Sequence, residues 1–122
     1  MDTIAFDGRA GAAGDMVLGA LLAVGADPGV LAPVEETLGV TYRAREVDRA
    51  GVAATRVEVV RDGDPVEGGD DHRHYGEVVD LVETLGLSPA VERDALATFS
   101  LLGEAEAAVH GTEVAETHFH EV

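Results

Sequence analysis

Apolar residues recur along the chain with two different periods, and the switches between them lay out the elements. Ile4 and Phe6, flanked by small residues and followed by Asp7-Gly8, predict a short first strand over residues 3–6. A glycine-rich turn follows. From Asp15 the positions Met16, Leu18, Leu21 and Leu22 have helical spacing, up to Gly25 where a helix end places its left-handed residue. Asp27 and Pro28 predict a second helix, a capping carboxylate followed by proline at the first helical position. Val30, Leu31, Val34 and Leu38 form its apolar face and Gly39 its end. Between Thr41 and Val60 the pattern turns β-like, and Arg49-Ala50-Gly51 is a hairpin turn between two antiparallel strands.

The stretch from Arg61 to Asp71 is acidic and broken by glycine and proline, so a mobile, His-containing loop is expected over residues 61–74. Val78, Val79, Leu81, Val82 and Leu85 then line a helix that ends near Gly86. Ser88-Pro89 starts another, with Val91, Ala95, Phe99, Leu102, Ala105 and Val109 as the expected buried stripe and a bend at Gly103. Thr117 to Val122 have the character of a strand beginning, which leads us to expect more chain beyond Val122 to pair with it. Together these elements predict an α/β (α+β) fold, a small mixed sheet with flanking helices in a single domain over residues 1–122.

Composition narrows the function. The 122 residues carry 24 acidic against 8 basic side chains, a formal charge of −16, and every basic residue is arginine. Nucleic acid and anionic membrane are excluded as partners by that sign, no apolar run is long enough to span a bilayer, and a cytoplasmic protein adapted to salt-rich surroundings is expected. Cysteine is absent, so a metal must be bound by nitrogen or oxygen.

Four of the five histidines form two His-x-His pairs, His72/His74 and His118/His120. On an extended backbone residues two apart share a face, so both imidazoles of a pair reach one ion at about 2.0–2.1 Å per bond. Imidazole suits nickel, zinc, copper or cobalt rather than magnesium or calcium. An exposed polar strand face is the competing explanation. Asp70 and Asp71 precede the first pair and Glu121 adjoins the second, as ligands or as partners that orient the rings. His110, next to Gly111, suits a helix C-terminus. The loop from Asp7 to Asp15, with Gly11 and Gly14, joins strand to helix, where backbone amides often cradle an anion; a plain tight connection explains it equally well. It lacks the Walker lysine.

Three segments in order, Phe6-Asp7 with Gly11 and Gly14-Asp15-Met16, His72-Arg73-His74 before a helix, and Glu104 to Gly111 leading into Thr117-His118-Phe119-His120-Glu121-Val122, resemble the LarC family of nickel insertion proteins. The resemblance runs nearly end to end. It implies a cyclometallase that uses CTP to insert nickel into pyridinium-3,5-bisthiocarboxylic acid mononucleotide, forming the carbon–nickel and sulfur–nickel bonds of the pincer cofactor of lactate racemase and related enzymes. It implies nickel handling at His72, His74, His118 and His120 with Glu121, and cofactor binding at Asp7, Gly11, Gly14 and Asp15. Ala10 and Ala13 stand where the family loop commonly carries serines, so a hydroxyl contact to phosphate is lost there. Family members continue well past the His-Phe-His-Glu-Val run, and CTP, with magnesium or manganese, belongs to that C-terminal region. The implied partners are a C-terminal segment or second subunit and the pincer precursor, with a homo-oligomer when complete. A metal chaperone or storage module without turnover is the alternative.

Overall fold

The structure is a computed structural model that describes residues 3–66 and 72–119. The expected α/β class is what it shows: four helices and two small antiparallel sheets, arranged in two compact units, Met1–Val66 and Glu67–Val122.

In the first unit α1 (Gly14–Ala23) is followed by a 3₁₀ turn (Pro28–Leu31) and α2 (Ala32–Leu38). The Asp27 carboxylate accepts the Gly29 amide at 2.9 Å, as its capping position predicts. The single helix expected from Asp27 is divided, because a second proline, Pro33, has no N–H to continue the ladder and sits in the first turn of α2. Strands β1 (Thr41–Arg49) and β2 (Val52–Arg61) pair antiparallel from Thr41↔Val60 to Arg49↔Val52. The α1 helix lies directly on β2: a Cβ added to Gly19 would stand 2.7 Å from the Thr55 carbonyl oxygen, so only glycine fits there. Val40, Val57 and Val60 are buried in this unit.

The β1–β2 turn places both central residues at positive φ, 53° at Ala50 and 81° at Gly51. Alanine costs about 1 kcal/mol or more in this region, whereas Asn-Gly is the preferred pair for the same turn. Ala50→Asn is therefore expected to raise stability by about 0.5–1 kcal/mol, read as a melting temperature a few degrees higher; an unchanged or lower value overturns the turn assignment.

Two expectations for this unit are corrected. Residues 3–6 form no strand, and Ile4 and Phe6 are 57% and 62% exposed. A strand exists only where another backbone takes up its N–H and C=O groups, and no described segment does so. The beginning of the loop expected over residues 61–74 carries a paired element: Asp62-Gly63, with φ of 53° and 93°, turns the chain so that β3 (Asp64–Pro65) pairs with Val60 and Arg61. Asp-Gly is a strong hairpin signal that the surrounding acidity masked. Residues 67–71 of that loop, including Asp70 and Asp71, lie outside the described residues.

In the second unit β4 (Arg73–His74) leads into α3 (Tyr75–Thr84), then α4 (Pro89–His110), a 3₁₀ turn (Val114–Glu116) and β5 (His118–Phe119). Val78, Val82 and Phe119 form the core, flanked by Tyr75, Leu87, Ala95, Leu96 and Phe99. Phe119 meets Phe99 with ring centroids 5.9 Å apart and Tyr75 at 6.2 Å, edge-on. The buried stripe of α4 differs from the expected one. Val91, Leu102 and Val109 are exposed, while Gly103 and Ala107 are buried. Gly103 is a contact point rather than a bend: a Cβ there would lie 3.1 Å from the Tyr75 ring and 3.3 Å from Val114. Hydrophobic bulk pointed to the wrong face because this contact is made by the absence of a side chain.

Candidate metal site

Antiparallel pairing of β4 with β5 sets Arg73 opposite Phe119 and His74 opposite His118. The pairing continues one residue on, where the Tyr75 amide donates to the Thr117 carbonyl at 2.9 Å. Phe119 is driven into the core at 3% exposure, and by strand alternation its neighbour His118 is exposed on the other side. The two imidazoles, far apart in sequence, meet with ring centroids 3.9 Å apart and planes tilted by 45°.

His74 is held from its own side by the start of α3. Its backbone N–H donates to the Glu77 carboxylate at 2.7 Å. That bond fixes the backbone of β4 at the point where its ring faces His118. On the β5 side Thr117 is buried, and its hydroxyl donates to the Glu113 carbonyl at 3.2 Å. The pair thus rests on a helix cap and on a core aromatic. Opposed side chains on antiparallel strands stand close enough for both rings to reach one ion.

Of the expected ligands, His72 is exposed one residue before β4, while His120 and Glu121 lie outside the described residues. Among the described residues no three side chains of His, Asp or Glu gather in a metal-binding group; the convergence is that of His74 with His118. His110 takes the helix-end position expected of it, with Nε2 at 3.3 Å from the Glu106 carboxylate.

The loop residues have local roles. Asp7 is bound by the Arg9 guanidinium, with Nε at 2.9 and 3.0 Å and one terminal nitrogen at 2.6 Å. This side-chain bonding, and a further bond from the Arg9 amide, hold the Asp7 carboxyl below its ordinary value. Gly11, at φ 108°, closes a turn on the Gly8 carbonyl, and Gly14 begins α1. Asp15 accepts the Met16 amide and lines a groove between α1 and the hairpin, whose other walls include Arg49 and Arg56. The arginines were not singled out from sequence. The signal available was their placement at alternate positions of β1, which puts Arg43, Arg45 and Arg49 on one face.

The model of the family described as nickel insertion protein matches residues 4–122, and the chain belongs to that family. It is 34% identical over its whole length to a putative nickel insertion protein of Methanococcoides burtonii, covering 30% of that protein. It is 39% identical to the pyridinium-3,5-bisthiocarboxylic acid mononucleotide nickel insertion protein of Akkermansia muciniphila, covering all of this chain and 32% of the relative. A putative nickel insertion protein of Thermomicrobium roseum is 42% identical over 95% of this chain and 28% of its own length. The chain therefore spans about three tenths of the length of the relatives it matches. No solved structure matches it. No helix among the described residues is long and apolar enough to cross a membrane.

Proposed function

We propose that this chain presents nickel, as substrate, for insertion into pyridinium-3,5-bisthiocarboxylic acid mononucleotide, acting with the remainder of the sequence that its relatives carry. The observation that supports it is the His74–His118 pair, two imidazoles opposed across β4 and β5 in a family named for nickel insertion. His74 and His118 hold the ion as neutral nitrogen donors, and His72, His120 and Glu121 complete its surroundings. CTP, with magnesium or manganese, acts through the C-terminal part, and the complete protein is a cytoplasmic homo-oligomer.

The test combines the chain with the C-terminal two thirds of a relative, nickel, CTP and the dithiocarboxylate precursor. Formation of the nickel-bound cofactor, followed by its absorption spectrum, is the expected result. Nickel bound by the chain with no cofactor formed would leave a metal chaperone. No nickel binding at all would defeat both.

A further inference from the structure

In a chain with 24 acidic side chains and 8 arginines, five of the arginines lie on one hairpin, at positions 43, 45, 49, 56 and 61. The register sorts them. Residues opposite one another share a face, and the pairs Arg43↔Glu58, Arg45↔Arg56, Val47↔Ala54 and Arg49↔Val52 gather four guanidiniums on one side of the sheet. Glu46 and Asp48 alternate to the other side.

Glu58 is the one carboxylate of β1 and β2 on that face. It accepts the Arg45 guanidinium at 2.8 Å and stands 3.2 Å from Arg56 Nε. The bond from Arg45 lowers its carboxyl below the ordinary value, with Arg56 and Arg43 adding to the effect. One carboxylate shared in this way leaves most of the N–H donors of four guanidiniums to be met by something else. The side chains of Arg45 and Arg56 remain 52% and 45% exposed.

Beside this face lies the groove between α1 and the hairpin, of about 640 Å³, lined by Ala20, Val47 and Ala54 together with Arg49, Arg56 and Asp15. That volume falls in the range of sites for ligands of nucleotide size, about 300–1,000 Å³. Guanidinium is the side chain whose planar fork matches a phosphate with two parallel hydrogen bonds. The small apolar lining suits a flat ring, and Asp15 supplies a negative charge at the same groove. The geometry points to this groove as a binding site for a pyridinium mononucleotide, its phosphate held by Arg49 and Arg56 and its cationic ring beside Asp15. In naming that ligand the inference rests on the reading above; as a phosphomonoester site the groove stands without it.

Nicotinic acid mononucleotide, titrated calorimetrically into the chain, is the probe, with the corresponding nucleoside and inorganic phosphate as the other arms. The mononucleotide is expected to bind, the nucleoside to bind at least tenfold more weakly, and phosphate to compete. The double variant Arg49→Gln/Arg56→Gln is expected to lose at least tenfold in mononucleotide affinity while binding nickel as before. Arg49→Lys/Arg56→Lys, which keeps both charges, retains part of the affinity and serves if the glutamine variant fails to fold. Equal binding of nucleoside and mononucleotide, or full binding by the folded glutamine variant, overturns the site. So does binding of polyglutamate in place of the mononucleotide, which makes the face a protein-docking surface. Nickel binding without mononucleotide binding sinks the groove alone; mononucleotide binding without nickel binding sinks the metal reading alone.

Discussion

Replacing His118 by alanine is expected to weaken nickel binding by tenfold or more, about 1.4 kcal/mol for each factor of ten. The ring stands directly opposite His74, so its loss leaves one imidazole where two converged. The backbone of β5 should survive, because it is anchored by buried Phe119 and Thr117 rather than by the exposed imidazole. His110→Ala is the control: that histidine is exposed at the end of α4 and pairs with Glu106, and its removal should leave nickel affinity unchanged. Calorimetric titration of both variants checks the pair, and equal affinity for nickel in wild type and His118→Ala would remove His118 from the site.

The largest expected effect on stability is at a residue with no side chain. Gly103→Leu forces a branched group into the space where the Tyr75 ring would lie 3.1 Å, and Val114 3.3 Å, from a Cβ. Overpacking of this kind costs about 1–3 kcal/mol or more, so a melting temperature roughly 5–15 °C lower is expected. Tyr75 follows His74 in the chain, and its amide carries the last bond of the β4–β5 pairing. Displacing it should therefore weaken nickel binding as well, although Gly103 is no ligand. Gly103→Ala tests the same contact more gently, since flexible neighbours can give by a few tenths of an ångström. A leucine variant that melts with the wild type would show that α4 does not pack there.

Much of this organisation was legible in the sequence because its signals were local. Asp27-Pro28 and Ser88-Pro89 announced helix starts, and Arg49-Ala50-Gly51 announced the hairpin. The spacing His-x-His in extended backbone marked both histidine segments, and the strand expected at Thr117 is realised at His118–Phe119. What was not legible depends on partners distant in the chain. Residues 3–6 have the apolar pattern of a strand, but a pattern does not supply the neighbouring backbone that makes one. The face of α4 that is buried is the one with Gly103 and Ala107, where close approach of Tyr75 outweighs side-chain bulk. Arg56 joins the arginine face only through the β1–β2 register, which sets it against Arg45 across the hairpin. For the candidate metal site, residue type pointed to imidazole, while the meeting of His74 with His118 required the fold.

Among the described residues the β4–β5 sheet is two residues long on each side, and it joins segments separated by the whole of α3 and α4. So short a ladder closes a long loop at an entropic cost that its few backbone bonds hardly cover. An ion bound by both histidines would act as a removable clasp across that loop, stabilising the closed form according to its free concentration. Nickel should then raise the melting temperature and slow amide exchange at Tyr75, and a chelator should reverse both. Cargo and fastening would be the same atom, so surrendering the metal would loosen the very strands that held it.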